Sequence, residues 1–212
     1  MESWLEERVP GEFSVAREEA RRLTDTYLDT NDWRLYRAGY ALRVRRRGKS
    51  AAATLKSMAA AGERGLRVRR EISEPLESEG PAGDLEVLRG STGPVGWRVG
   101  VLSGPRELRS LFEVRTRRSV YGVYRGGERI GEVALDETEI PVEGGRAAML
   151  GRVEVEAEPG AIEEIESFVG ELREGCGLLP ATASKFEVGL RAQGLTPTEP
   201  GPEEVEVPPD AG

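Results

Sequence analysis

The stretch Ala41-Leu42-Arg43-Val44-Arg45-Arg46 carries apolar and basic side chains at alternate positions. Successive side chains of a β-strand point to opposite faces, so Leu42 and Val44 lie on one face and Arg43 and Arg45 on the other. This segment therefore predicts a strand with one apolar face and one strongly basic face.

The same two-residue period recurs along the chain, in residues 54–56, 66–72, 112–117, 132–136 and 152–156. Glycine-containing turns join these segments, which is typical of an antiparallel meander or barrel. Their polar faces hold mostly Arg and carboxylates. One interpretation is an ordinary half-buried sheet, in which these charged faces are exposed to solvent. A barrel of about eight strands is wide enough to enclose side chains or a small ligand. We therefore predict an α+β fold, with an eight-stranded antiparallel β-barrel whose charged faces line a tunnel and whose helices pack outside.

Helical periodicity is clearest near the end of the chain. Residues 160–176 carry an apolar stripe at helical spacing, and Ser184 followed by Glu187 predicts a capped helix from Lys185 to about Gln193. Residues 105–110 are a third helix candidate, with the weakest helical pattern.

The Gly, Pro and Ser content of residues 75–83 and 90–104 predicts loops that could cover a tunnel mouth. We expect one domain over residues 1–193 and a disordered, acidic, Pro-rich tail over 194–212.

Composition excludes several classes of chemistry. The net charge is −8, which argues against a nucleic-acid binder, yet residues 34–49 carry only basic ionisable side chains apart from tyrosine. Histidine is absent and Cys176 is the single cysteine, so His-based triads, internal disulfides and cysteine zinc clusters are excluded. The first residues lack signal-peptide features and no apolar run approaches the roughly 20 residues of a membrane span, so we expect a cytoplasmic protein with no membrane partner.

Residues 26–30, Thr-Tyr-Leu-Asp-Thr, and then residues 35–46 closely resemble the CYTH family, the triphosphate tunnel metalloenzymes. The resemblance continues in the same order through residues 54–56, 69–71, 114–118, 132–136, 152–156 and 184–187. It implies an eight-stranded tunnel in which basic side chains hold a triphosphate and carboxylates hold Mg²⁺ or Mn²⁺. Family members include inorganic and thiamine triphosphatases, RNA triphosphatases and a class of adenylyl cyclases.

The resemblance also implies roles for single residues. The implied phosphate-binding residues are Arg43, Arg45, Lys56, Arg69, Arg115, Arg117 and Lys185. The implied metal ligands are Glu154 and Glu156, with Glu132, Asp136, Glu2 and Glu6 as further candidates, and Glu154 and Lys185 are the implied catalytic residues.

These residue types suit a triphosphate, which carries about four negative charges, because the Arg fork binds two oxygens and stays charged. Two simpler interpretations stay open. Glu71 and Glu132 could have no role beyond pairing with neighbouring arginines. Residues 115–118 could be a basic segment exposed to solvent, a solvated ribbon.

The family's first-strand signature, Glu-x-Glu-x-Lys, is altered in this chain. One register places Glu2, Trp4 and Glu6 at the three signature positions, and a second register places Trp4, Glu6 and Arg8 there. Either register puts an indole near the metal site, and an indole cannot coordinate a cation.

Three functions follow. The first is metal-dependent hydrolysis of an inorganic or organic triphosphate, and the alternative is a non-catalytic module that binds polyphosphate. The third is nucleotide cyclisation, although no segment identifies a base pocket. The expected ligand is a triphosphate, a polyphosphate or a nucleoside triphosphate.

Overall fold

The computed structural model describes residues 1–7, 11–58 and 71–197. Within them, seven strands form one antiparallel sheet in the order β4-β3-β2-β1-β5-β6-β7. The strands are β1 (Phe13–Thr30), β2 (Tyr40–Arg47), β3 (Ser50–Ser57), β4 (Glu71–Leu76), β5 (Leu108–Arg125), β6 (Glu128–Ile140) and β7 (Ala148–Ala157). The helices are α1 (Glu2–Glu7), α2 (Arg34–Arg37), α3 (Pro81–Gly90), α4 (Pro94–Ser103), α5 (Ile162–Cys176) and α6 (Lys185–Ala192).

The α+β class is confirmed, but the described residues form an open sheet with β4 and β7 at its edges instead of a closed eight-stranded barrel. The segment considered as the first strand is the helix α1. Its Leu5 is 1% exposed and packs with Phe13 of β1 and Phe168 of α5. The helix thus buries an apolar side chain against the sheet without extending the sheet by a strand. Arg8 lies outside the described residues.

The segment 90–104, predicted as a loop, contains helix α4, and the loop predicted at 75–83 overlaps the end of β4 and the first turn of α3. Both α3 and α4 begin with a proline, which is favourable in the first helical turn because its missing N–H has no partner there. Leu88 of α3 and Val95 and Val99 of α4 are buried against Leu42 and other apolar residues of β2 and β3. The prediction of a short helix at 105–110 is wrong, because strand β5 begins at Leu108.

The last two helices match the prediction closely. Helix α5 packs Ile165, Phe168 and Leu172 onto the sheet. Helix α6 begins with a capping box, in which the Ser184 hydroxyl accepts from the Glu187 amide while the Glu187 carboxylate accepts from the Ser184 amide. The domain boundary at 193 stays a prediction, and residues 198–212 of the expected tail lie outside the described part. No described helix is long and apolar enough to cross a membrane.

The two faces of the sheet differ in what covers them. Directly opposed residues of paired strands share a face. On one face, called here the packing face, α3 and α4 cover β2 and β3, while α1 and α5 cover β5 to β7. On the opposite face, Phe186 of α6 stacks with Tyr27 and Phe112 and fills one end of the sheet. The rest of this second face carries buried ionised side chains, and we call it the charged face.

Candidate anion-binding site

Strand register decides which side chains reach the charged face. Asp25 of β1 lies opposite Arg45 of β2. Arg118 of β5 lies opposite Asp136 of β6. Asp136 lies opposite Arg152 of β7, and Glu154, two residues after Arg152, projects to the same face. Charged groups from five neighbouring strands are thereby brought onto one surface.

Asp25 holds two of the arginines. It is 0% exposed, and its two carboxylate oxygens accept from Nε and Nη2 of Arg45, each at 2.7 Å. Nη1 of Arg43 lies 3.6 Å from the same carboxylate. Burial disfavours the ionised form of Asp25, but the Arg45 hydrogen bonds and the charge of Arg43 outweigh burial and lower the pKa of Asp25.

A second network joins β5, β6, β7 and α6. Nε and Nη2 of Arg118 donate to Asp136 at 2.7 and 2.8 Å, and Arg118 also donates to Glu154. Lys185 donates to Asp136, and its Nζ lies 3.2 Å from Oε1 of Glu154. Burial raises the pKa of Glu154, but the charges of Lys185 and Arg118 dominate and lower it to about 2. Each carboxylate of the network is therefore bound by two cations.

The two networks lie close enough to affect each other. The pKa of Arg45 is raised because Asp25 outweighs both burial and repulsion from Arg118. The pKa of Lys56 is lowered by burial and then by the charges of Arg43 and Arg45, although Lys56 donates to Glu71 at 2.6 Å. Arg118 thus disfavours the charge of Arg45, and Arg43 and Arg45 disfavour the charge of Lys56, although carboxylates pair with each of these cations.

The charged face retains unused hydrogen-bonding capacity. Nε of Arg43 is buried without an acceptor among the described residues, although a buried donor without a partner is unfavourable. An open groove of about 2080 Å³ is lined in part by Lys56, Arg118 and Glu154 of the charged face, and it extends past Glu2 and Arg117 of the packing face. Arg152 donates to the Ala183 carbonyl at 2.6 Å, which ties the segment before α6 to β7. The groove gives a ligand access to the cations.

Two of the predicted phosphate-binding residues lie elsewhere. Arg115 and Arg117 project to the packing face, because Arg118 and not Arg117 shares a face with Asp136. Arg115 binds Glu113 at 2.7 Å, and Arg117, whose side chain is 74% exposed, lies 3.8 Å from Glu137. Arg115 and Arg117 thus match the solvated ribbon considered for residues 115–118, whereas Arg118 is buried and does not. Arg69 lies outside the described residues.

Four of the six candidate metal ligands, Glu132, Asp136, Glu154 and Glu156, lie on the charged face, and the other two do not. Glu2 accepts from Ser119 at 3.3 Å and Glu6 from Tyr121 at 3.4 Å, so both lie over the packing face. Glu132 lies 3.2 Å from Nη2 of Arg129, and Glu156 lies opposite it in the sheet. Asp136 and Glu154 bind Arg118 and Lys185 as described above. In residues 1–7, 11–58 and 71–197, no group of three or more acidic, His or Cys side chains is arranged to hold a metal ion.

The described carboxylates therefore do not fit a divalent metal. Oxygen ligands are the correct type for Mg²⁺ or Mn²⁺, but the two carboxylates nearest the cations are already neutralised by them.

Charged residues of this face that sequence reasoning did not assign include Arg21, Asp25, Arg118 and Arg152. Asp25 follows the alternation of β1, because it is two residues before Tyr27, which shares its face. For Arg118, the adjacent Arg117 offers the same side chain on the opposite face. Only the pairing of β5 with β6 distinguishes the two arginines.

Comparison with known proteins agrees with this architecture. In solved structures, the chain is similar to HpAC1 of Hippeastrum, a proposed adenylyl cyclase with a dominant triphosphatase activity (22% identity, TM-score 0.61, covering 84% of this chain and 85% of that one). It is also similar to a proposed adenylate cyclase of Bacillus halodurans (17% identity, TM-score 0.59, covering 84% and 95%) and to the PH1819 protein of Pyrococcus horikoshii (21% identity, TM-score 0.51, covering 89% and 93%).

These similarities concern the fold, given their low identity. A comparison with curated protein sequences found no significant match. The family model of the CYTH domain matches residues 4–189, which is most of the chain and includes both ionic networks of the charged face. The protein therefore belongs to the CYTH domain family.

Proposed function

We propose that this protein binds the triphosphate group of an inorganic or organic triphosphate, or the end of a polyphosphate, at the charged face and hydrolyses a terminal phosphoanhydride bond. The observation that carries the proposal is the convergence of cations from β2, β3, β5 and α6 beside an open groove. Relatives with a CYTH domain act on triphosphates and nucleotides, and HpAC1 has a dominant triphosphatase activity.

Binding would use the N–H groups that the carboxylates leave free. Arg45 and Arg118 each donate to a carboxylate through Nε and Nη2, so the other guanidinium hydrogens can reach phosphate oxygens. Arg43 would add its positive charge from beside Asp25. Lys56 and Lys185 add point charges without the planar geometry of an arginine fork. These five cations outnumber their paired carboxylates, Asp25, Glu71, Asp136 and Glu154, by one, so the site would offset only part of the roughly four negative charges of a triphosphate.

Hydrolysis would begin with in-line attack of water on the terminal phosphoryl group. Lys185 and Arg118 would stabilise the charge that develops on the departing diphosphate, because both already bind anionic oxygens. With a pKa of about 2, Glu154 is a weak base at neutral pH, so its role is to hold these two cations in place. CYTH triphosphate tunnel metalloenzymes generally use divalent metals. Since the described carboxylates do not fit one, we assign no metal-mediated step.

A second candidate is a binding module without hydrolytic activity. The observation that favours it is the position of α1, which carries Glu2 and Glu6 over the packing face while Glu154 lies on the charged face. Although Glu2 and Glu154 line the same groove, no group of three or more acidic, His or Cys side chains within the described residues is arranged to hold a metal ion. Such a module would retain the cations and bind triphosphate without cleaving it.

Phosphate release distinguishes these candidates. Inorganic triphosphate, thiamine triphosphate and ATP are each incubated with the protein in Mg²⁺, in Mn²⁺ and in excess chelator, with Glu154→Gln as the control for contaminating phosphatases. Metal-dependent release by the wild type that falls sharply in the control supports a triphosphatase. Binding without release supports the module, and formation of cyclic AMP and pyrophosphate from ATP would instead indicate a cyclase.

A further inference from the structure

Asp25 is a fully buried carboxylate for which neither the resemblance nor the proposed reaction provides a role. It lies in the middle of β1 with 0% of its surface exposed. Burying a carboxylate is strongly unfavourable unless charged partners bind it. Its partners are Arg45 and Arg43, two cations of the proposed anion site.

The geometry of this contact fixes the orientation of a guanidinium group. Both oxygens of Asp25 bind Arg45, at 2.7 Å through Nε and 2.7 Å through Nη2, and a paired contact of this kind defines the plane of the fork. Because Asp25 and Arg45 are directly opposed in adjacent strands, the backbone ladder also fixes the distance between them. The outer N–H groups of Arg45 are left on the side away from Asp25.

Repulsion among the cations makes this restraint necessary. Arg45 experiences the positive charge of Arg118, and Lys56 experiences the charges of both Arg43 and Arg45. Without a carboxylate between them, the long side chains of Arg43 and Arg45 would move apart toward solvent. Asp25 is short enough to stay at strand level and hold both.

We propose that Asp25 is a positioning residue that orients Arg43 and Arg45 toward the phosphate groups and stays bound to them while the ligand is present. The inference rests on the proposed function, since it names a residue that prepares the same site. Asp25 itself touches no phosphate oxygen, because its two oxygens face the arginines.

A simpler role for Asp25 predicts the opposite change in affinity. If Asp25 were only a counter-charge, replacing it with a neutral residue would make the face more positive and strengthen anion binding. If it orients the arginines, the same replacement weakens binding even though the site gains positive charge. The sign of the change in affinity therefore distinguishes the two roles.

The test is calorimetric titration of inorganic triphosphate, in excess chelator, into the full chain and three variants. Asp25→Asn removes the charge while preserving shape. Glu137→Gln removes a carboxylate charge from a side chain that is 75% exposed on the packing face, and it serves as the matched control. Arg45→Lys preserves the charge and removes the fork. We expect Asp25→Asn and Arg45→Lys each to weaken binding at least about tenfold, as for loss of a charge-assisted hydrogen bond. Glu137→Gln should bind like the wild type.

The outcomes separate this inference from the proposed function. A wild type that binds no triphosphate, either in excess chelator or with Mg²⁺ present, overturns the proposed function. A wild type that binds, together with an Asp25→Asn variant that binds equally or more tightly, overturns only the inference. If circular dichroism shows that Asp25→Asn is unfolded, Arg45→Lys decides, because wild-type affinity in that variant would mean that orientation of the fork is irrelevant.

Discussion

Arg118 and Arg117 are adjacent arginines on opposite faces of β5, so replacing each with methionine gives a matched pair of perturbations. The Arg118 side chain is 8% exposed and binds Asp136 and Glu154, whereas the Arg117 side chain is 74% exposed. Methionine preserves much of the volume and removes the charge. The comparison therefore isolates the contribution of the buried ionic network.

The expected magnitude follows from the partners that Arg118 leaves behind. Asp136 is 2% exposed and retains only Lys185 as a described cationic partner. Removing one partner of a buried ion pair typically lowers the free energy of unfolding by about 3–5 kcal/mol. For a domain of this size each kcal/mol corresponds to roughly 2–4 °C, so Arg118→Met should lower Tm by roughly 6–20 °C. An exposed substitution such as Arg117→Met should change the free energy of unfolding by no more than about 0.5 kcal/mol.

The assay is thermal and urea unfolding at neutral pH. A double variant, Arg118→Met with Glu154→Gln, should regain part of the lost stability because Lys185 then has one carboxylate to balance instead of two. Equal stability of Arg117→Met and Arg118→Met would refute the reasoning, since it would mean that the network contributes nothing or that the two arginines exchange faces.

Three further predictions follow from single contacts. The pKa of Glu154 is about 2 against an ordinary 4.5, so its ionised form stabilises the fold above pH 4.5 and this stability is lost as the pH falls toward 2. In acid unfolding curves, the difference in stability between the wild type and Glu154→Gln should therefore shrink over that range. A constant difference would contradict this. Gly189→Val should lower the free energy of unfolding by about 1–3 kcal/mol or more, because a Cβ at this position would overlap the Phe112 ring. A Cβ at Gly100 meets open space, so the control Gly100→Ala should not lower the free energy of unfolding. Glu2→Gln should leave triphosphate affinity unchanged in titration calorimetry, because Glu2 lies over the packing face, and a large loss would place α1 in the site.

Alternating patterns predicted the strands and one charged face, because strand geometry leaves side chains only two directions. Arg43, Arg45 and Lys56 lie on that face, and α6 brings Lys185 to it. In residues 114–118 the pattern could not distinguish two adjacent arginines, since the face that each occupies depends on pairing with β6. Register between strands distant in sequence is not encoded in the local period.

The errors in secondary structure have local causes. Residues 2–7 are too few to show a decisive period, and burial of Leu5 beneath α5 favours a helix there. In residues 75–83 and 90–104, Pro and Gly content masked the start of α3 and the whole of α4, although the proline of each helix stands at its start. Tertiary packing onto β2 and β3 stabilises these helices more than intrinsic propensity does.

The most direct measurement of the central claim is equilibrium binding of inorganic triphosphate, in excess chelator, to the wild type, Arg118→Met and Arg117→Met. The account predicts that the wild type binds, that Arg118→Met loses at least about tenfold in affinity and that Arg117→Met binds like the wild type. A wild type that binds no triphosphate, or a loss of affinity confined to Arg117→Met, would contradict the assignment of the anion site to the charged face.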